Sequence, residues 1–114
     1  MPYIEAKLSI KLDYKQKNEL QTQLTEVISS AFSKPKAYIM TTIEDEKAIF
    51  MAGVQPDSAA YISVGMLGTA SKTACLSATQ GICKTLSTNY GISGSNIYVT
   101  FHPTELWGWN GSMF

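Results

Sequence analysis

A strand, a long amphipathic helix and a second strand follow one another twice along this chain, and few folds can accommodate that order. From Pro2 to Ile10 apolar residues mostly alternate with Glu5, Lys7 and Ser9, which predicts a strand with one wetter face. Asp13 then stands at an N-cap position, and Leu20, Leu24, Val27, Ile28, Ala31 and Phe32 recur at helical spacing. Residues 14–32 are therefore expected to form a helix with Lys15, Lys17, Glu19, Gln23 and Glu26 facing water. Lys34-Pro35 stops it, because proline cannot continue the hydrogen-bond ladder. Tyr38 to Ile43 is the second predicted strand. In the second half, Ala59 to Leu67 is a strand, Gly68 breaks it, and Thr69 or Ser71 caps a helix running to about Tyr90. Ala74, Ala78, Ile82 and Leu86 mark its core stripe, Gly91 is its stop, and Asn96 to Phe101 is the final strand.

The halves correspond at an offset of about sixty. Tyr38-Ile39 matches Tyr98-Val99, while Leu20, Leu24 and Ile28 match Ala78, Ile82 and Leu86 at a slightly shorter offset. Two βαβ units with long crossovers imply an α+β fold: a four-stranded mixed sheet with both helices on one face. Short extra strands are expected, one of them at Ala48–Met51 after the charged turn Glu44–Lys47. Gly53 to Ser58 is a loop, and the tail from Leu106 to Phe114 is aromatic and punctuated by glycine. The 114 residues fit a single domain, 1–114. Ala59–Leu67 carries no charge and is expected to be covered on both faces. A sheet with helices on one side only leaves its other face to be buried by further copies, so an oligomer is expected.

Several function classes lose ground on composition alone. Formal net charge is zero and the nine basic residues form no long run, which argues against nucleic acid as a partner. No apolar stretch approaches the roughly 18–20 residues of a membrane span, and no basic-then-apolar leader opens the chain. Cytoplasmic residence is expected, with any export needing another route. Cys75 and Cys83 lie eight apart in a predicted helix, about 12 Å along its axis. A disulfide needs Cα atoms within roughly 7 Å, so an internal bridge is not expected. With His102 as the one histidine, a zinc site is not expected either.

Chemistry enters at Met1-Pro2. A small residue after the initiator methionine favours removal of that methionine, which would leave proline with a secondary amine. An ordinary α-amino group titrates near roughly 7.7–8.0. Burial or a neighbouring lysine lowers that value by disfavouring the charged form. A base poised near neutrality is what proton abstraction beside a carbonyl requires. With Met1 retained, the Pro2 nitrogen is an amide and cannot do this.

Over essentially its full length the chain resembles the macrophage migration inhibitory factor family of the tautomerase superfamily. The resemblance rests on Met1-Pro2, on Lys34-Pro35 followed by Tyr38-Ile39, and on Ser63-Val64-Gly65 with Gly68 ending the strand. It continues with Ile97-Tyr98-Val99 and the terminal Gly108-Trp109-Asn110-Gly111-Ser112. It implies a homotrimer whose sheets line a central channel, with active sites at subunit interfaces. It also implies cofactor-free keto–enol tautomerisation of phenylpyruvate-like 2-oxo acids, with Pro2 as acid and base. Lys34 would hold the substrate carboxylate and help keep the amine neutral. Ser63 and the Val64 backbone N–H match positions that contact substrate oxygens. Tyr38 and Tyr98 match pocket tyrosines, and Trp107, Trp109 and Phe114 fall on the rim or the interface.

The chain departs from the family pattern in three places. Thr100 stands where many members have asparagine, a shorter donor, and Trp107 replaces a small aliphatic residue before Gly-Trp, which narrows the pocket. Bulky or dopachrome-like substrates are disfavoured accordingly. The family's Cys-x-x-Cys is replaced by Pro56-Asp57-Ser58-Ala59, so thiol–disulfide activity has no support. The competing readings are a cytokine-like protein that binds a receptor and keeps the pocket as a relic, and a ferredoxin-like binding module without catalysis. The pairing of Met1-Pro2 with Lys34 speaks against the latter.

Overall fold

Strand β1 (Pro2–Leu8) is the element against which the others are registered. In this computed structural model, which describes residues 1–114, it is followed by α1 (Tyr14–Phe32), β2 (Met40–Glu44), β3 (Ala60–Leu67), α2 (Lys72–Tyr90) and β4 (Ile97–Thr104). A terminal hairpin, β5 (Gly108–Trp109) and β6 (Ser112–Met113), completes the chain. The main sheet has the order β2-β1-β3-β4. β1 runs parallel to β2 and antiparallel to β3, and β3 runs parallel to β4. This is the mixed sheet of two βαβ units expected from the sequence.

The two-residue period of the strands sets the core. Pro2, Ile4, Ala6 and Leu8 on β1 and Ala60, Ile62, Val64 and Met66 on β3 are buried, while the residues between them are only partly covered. Leu20, Leu24 and Ile28 from α1 and Ala78, Ile82 and Leu86 from α2 close the same cluster. Each large aliphatic side chain so buried contributes roughly 1.5–3 kcal/mol. Both helices therefore lie on one face. Gly81 lets them approach, since a Cβ there would stand 2.9 Å from Val27 Cγ1.

The repeat is exact in register. Tyr3 pairs with Met40 and Tyr61 pairs with Tyr98; 61 minus 3 and 98 minus 40 both give 58. The helix stripes share that offset, from Leu20 to Ala78 onward. Each helix ends on a residue in the left-handed conformation, Ser33 (φ 52°) and Gly91 (φ 70°), and each leads into a 3₁₀ turn, Lys36–Tyr38 and Gly94–Asn96. The strand correspondence at sixty is thus corrected: Tyr38 matches Asn96, the last residue of the second turn, and Tyr98 matches Met40.

Boundaries moved where local hydrogen bonding overrode pattern. β1 ends at Leu8 because Ser9 turns the chain, its N–H donating to the Ala59 carbonyl and its Oγ accepting from Ala59 N–H. β2 begins at Met40, after the turn that Pro35 initiates. Ser71, not Thr69, caps α2, accepting from Ala74 N–H at 3.1 Å. β4 extends through Pro103, which an edge strand tolerates. Ala48–Met51 is not a strand in one chain: no neighbouring strand lies beside it, and Met51 only bridges to Val54 across a turn at Ala52 and Gly53, both with positive φ. β3 is half covered on its non-helical face, so the second cover expected for it is missing from a single chain.

Candidate active site

Pro2 opens β1 with its side chain fully buried on the helix-facing side of the sheet. Position one of a strand suits proline, which has no N–H to donate. The Met1 carbonyl accepts from Leu67 N–H at 3.2 Å, so the sheet ladder reaches one residue beyond Pro2. Around this terminus lies a cleft of about 620 Å³, lined by Met1, Pro2 and Tyr3, by Ala37 to Met40, and by Trp107 to Trp109. Its wall is almost entirely apolar.

The cation comes from the end of α1. Ser33 in the left-handed conformation turns the chain, Lys34 N–H donates to the Ser29 carbonyl, and Ser29 Oγ donates to the Lys34 carbonyl at 2.6 Å. The Lys34 backbone is thereby fixed. Its ammonium belongs to none of the ion pairs, which use Lys7, Lys17, Lys36 and Lys47. The Met1 amine is held below its ordinary value, first by partial burial and second by the charge of Lys34.

Aromatic side chains form the outer wall. Tyr38 meets Trp109 edge to face with centroids 6.3 Å apart, and Trp109 stacks on Phe114 at 6.3 Å. The hairpin that carries them turns at Asn110-Gly111, with φ of 51° and 77°, a pairing favoured in tight hairpins. A smaller hollow of about 210 Å³ lies between Trp109, Ser112, Met113 and Phe114. Trp107 lies over Gly65, its Cζ3 3.8 Å from where a Cβ would be, an ordinary contact distance.

Pro2, Lys34, Tyr38, Trp107, Trp109 and Phe114 are thus gathered at one end of the chain. Ser63, Val64, Tyr98 and Thr100 are not. Pro2 pairs with Met66, and Met66 with Pro103, whereas Thr100 pairs with Ser63, three residues further along. At about 3.3 Å per residue that is roughly 10 Å. Tyr98, 63% exposed, is further still. Thr100 Oγ1 instead bonds Tyr61 OH at 2.7 Å and His102 Nε2 at 2.9 Å on the open sheet face. Val64 is buried in the core. The bonds Leu67–Met1 and Ser9–Ala59 place odd-numbered β3 residues toward β1, so Val64's backbone groups face β4. Tyr3, Ile39 and Met40 line the cleft without any signal in their own residue types; the β1–β2 register that brings them together spans the whole of α1. No group of three or more His, Cys, Asp and Glu side chains could hold a metal. No helix is long and apolar enough to cross a membrane.

Comparison with known proteins agrees with this geometry. A family model described as macrophage migration inhibitory factor matches residues 1–114. No curated protein matches the chain. Among solved structures, Leishmania major MIF2 is 27% identical with a TM-score of 0.91, covering 100% of this chain and 97% of that one. A homologue from Prochlorococcus marinus is 26% identical with a TM-score of 0.86, covering 96% of each chain. A MIF-like protein from Entamoeba histolytica, at 24% identity and a TM-score of 0.89 over 99% and 98%, shares the fold. With its full length matched and its fold reproduced, the chain belongs to the macrophage migration inhibitory factor family, within the tautomerase superfamily.

Proposed function

We propose that this protein is a cofactor-independent keto–enol tautomerase of phenylpyruvate-like 2-oxo acids, acting through the amine of Pro2 after Met1 is removed. The observation that carries the reading is the amine environment: a buried proline at the edge of an apolar cleft, with an unpaired lysine beside the terminus. Burial and Lys34 together keep such an amine neutral near working pH. The neutral nitrogen takes a proton from C3 of the keto acid, the C–H pair becomes the C2=C3 double bond, and the carbonyl pair moves onto oxygen. The prolinium then returns the proton to that oxygen. Lys34 holds the carboxylate, and Tyr38 and Trp109 flank the aryl group.

The working form is a homotrimer. β2 and β4 are open sheet edges, Ala48–Met51 lacks a partner, and Tyr98 and Thr100 face outward beyond reach of their own Pro2. A second copy that brings Tyr98 and Thr100 to the cleft completes the pocket, with Ser63 beside Thr100 on the same face.

The test is intact mass paired with a phenylpyruvate assay on the same sample. Turnover is expected from chains beginning at Pro2 and is lost in Pro2→Gly with the fold retained. A protein of the same fold at 16% identity, Pt0534, is inactivated by 2-oxo-3-pentynoate. That compound is a suitable probe here, and single labelling at Pro2 is expected. Absence of turnover from a processed trimer would overturn the reading.

A further inference from the structure

We infer that Asn110 is a self-modifying residue: its side-chain amide is lost by deamidation through Gly111, and the product unmakes the aromatic wall of the cleft. The chain has four asparagines, Asn18, Asn89, Asn96 and Asn110. The first three are followed by Glu19, Tyr90 and Ile97, whose side chains hinder attack by their own backbone nitrogens, and Asn18 and Asn89 are fixed inside α1 and α2. Asn110 alone is followed by glycine, which places no Cβ in the way. It is exposed at the tip of the terminal hairpin, and the Gly111 N–H donates no backbone hydrogen bond. The turn must open for the nitrogen to approach the amide carbon. β5 and β6 pair over two residues each, Gly108 with Met113 and Trp109 with Ser112, and Tyr38 is the aromatic partner of Trp109 outside the hairpin. A hairpin this short is marginal alone, and segments with so few contacts open locally.

The chemistry needs only water. The Gly111 nitrogen forms a bond to Asn110 Cγ, the Cγ–Nδ2 bond breaks, and the Gly111 proton leaves with that nitrogen as ammonia. The resulting five-membered imide takes up one water. Opening at Cγ gives aspartate; opening at the main-chain carbonyl gives isoaspartate, with the chain now running through Cγ. Isoaspartate adds one carbon to the backbone of a turn made of two residues, so the pairing on which the hairpin register depends is lost. Trp109 is then no longer held edge to face against Tyr38 or stacked on Phe114. Either product also sets a carboxylate next to Trp109, on a wall that is otherwise apolar. The effect on turnover rests on the tautomerase reading, whereas the modification does not.

The test is ageing of the chain beginning at Pro2 at pH 8, followed by peptide mapping, tryptophan fluorescence and phenylpyruvate turnover. Exchange of NH2 for OH raises the mass by about 1 Da, and that increment is expected at Asn110 with isoaspartate as the main product. Trp107 and Trp109 are the only tryptophans, so the emission is expected to shift in step with the isoaspartate fraction. The modified fraction is expected to lose about 10-fold in kcat/KM as the aryl contact goes. Asn110→Gly keeps a turn of the same type without the amide and is expected to hold emission and kcat/KM constant over the same period. A synthetic peptide of residues 106–114 is the unfolded control. Conversion of the peptide with Asn110 intact in the protein overturns the inference. Isoaspartate that leaves the emission unchanged, or an equal decline in Asn110→Gly, overturns it as well. Fresh protein without turnover overturns the tautomerase reading alone, because mass and emission still decide this one.

Discussion

Lys34 and Ile92 occupy the same place in the two halves of the chain. Each follows a left-handed helix stop, and each has its carbonyl held by a serine hydroxyl one turn back, Ser29 Oγ to Lys34 O at 2.6 Å and Ser87 Oγ to Ile92 O at 2.7 Å. Ile92 is fully buried, whereas Lys34 reaches toward the N-terminus. Their partners diverge likewise: Pro2 corresponds to Ala60. An apolar residue suits this position structurally; under the proposed function the lysine serves the site. Lys34→Met is expected to keep or raise the melting temperature while kcat/KM for phenylpyruvate falls about 10- to 100-fold. A lysine charge beside an amine lowers that amine's pKa, so its removal is expected to raise that of Pro2 and to move the acid limb of the kcat/KM profile to higher pH.

The paired serines give a sharper comparison. Ser29→Ala and Ser87→Ala each remove one hydroxyl-to-carbonyl bond and are expected to cost about 1 kcal/mol, read from denaturant midpoints. Only Ser29→Ala is expected to raise KM, because only its partner carbonyl belongs to the residue proposed to bind the carboxylate.

Gly81 sets the helix spacing. A methyl group there meets the stiff side chain of Val27 at 2.9 Å. Overpacking of that kind costs about 1–3 kcal/mol, offset by about 1 kcal/mol of helix propensity. Gly81→Ala is therefore expected to lower stability, and adding Val27→Ala is expected to restore most of it.

Asp45 ties the end of β2 to the start of α1, accepting from Leu12 N–H at 2.9 Å and pairing with Lys17 at 3.0 Å. These contacts, the Leu12 bond first, hold its carboxyl below the usual range. The stability they confer is complete above the unfolded value, about 3.9, and disappears as pH falls through the lower folded value. Asp45→Asn should melt lower than the parent at pH 7, and the two melting curves should converge in acid. A gap that persists at pH 2 would assign the effect to packing.

Trp107 lies over Gly65 and walls the cleft. Trp107→Leu is expected to raise kcat/KM for bulkier aryl 2-oxo acids about 10-fold relative to phenylpyruvate. An unchanged ratio would remove Trp107 from any role in substrate size.

The strand–helix–strand order was legible because its signals are local: alternation in Pro2–Leu8, the Asp13 cap with Gln16 completing a capping box, and the glycine stop at Gly91. The offset of sixty for the strands misled because tyrosine recurs at 38 and 98, and residue identity is a weaker guide than register. The Asn110-Gly111 pair is a local hairpin signal, which glycine punctuation of the tail alone does not convey. Pro2 and Lys34 were legible as a pair through the resemblance, yet what surrounds them was not. Met40 and Ile39 reach Pro2 through parallel pairing across a 19-residue helix, and no local pattern encodes that. Ala48–Met51 has strand composition without a strand, since composition does not supply a neighbour.

The offset of 58 also bears on ancestry. A single strand–helix–strand unit of that size covers only half of its own core and is marginal alone. Two identical units, related by the internal symmetry of this sheet, would close the same core and would carry a reactive end on each. In that arrangement, any change that suited one end would be imposed on the other. Once duplicated and joined, the copies are free to drift apart. In this chain one end carries proline and lysine, while the other carries alanine and isoleucine and is scaffold.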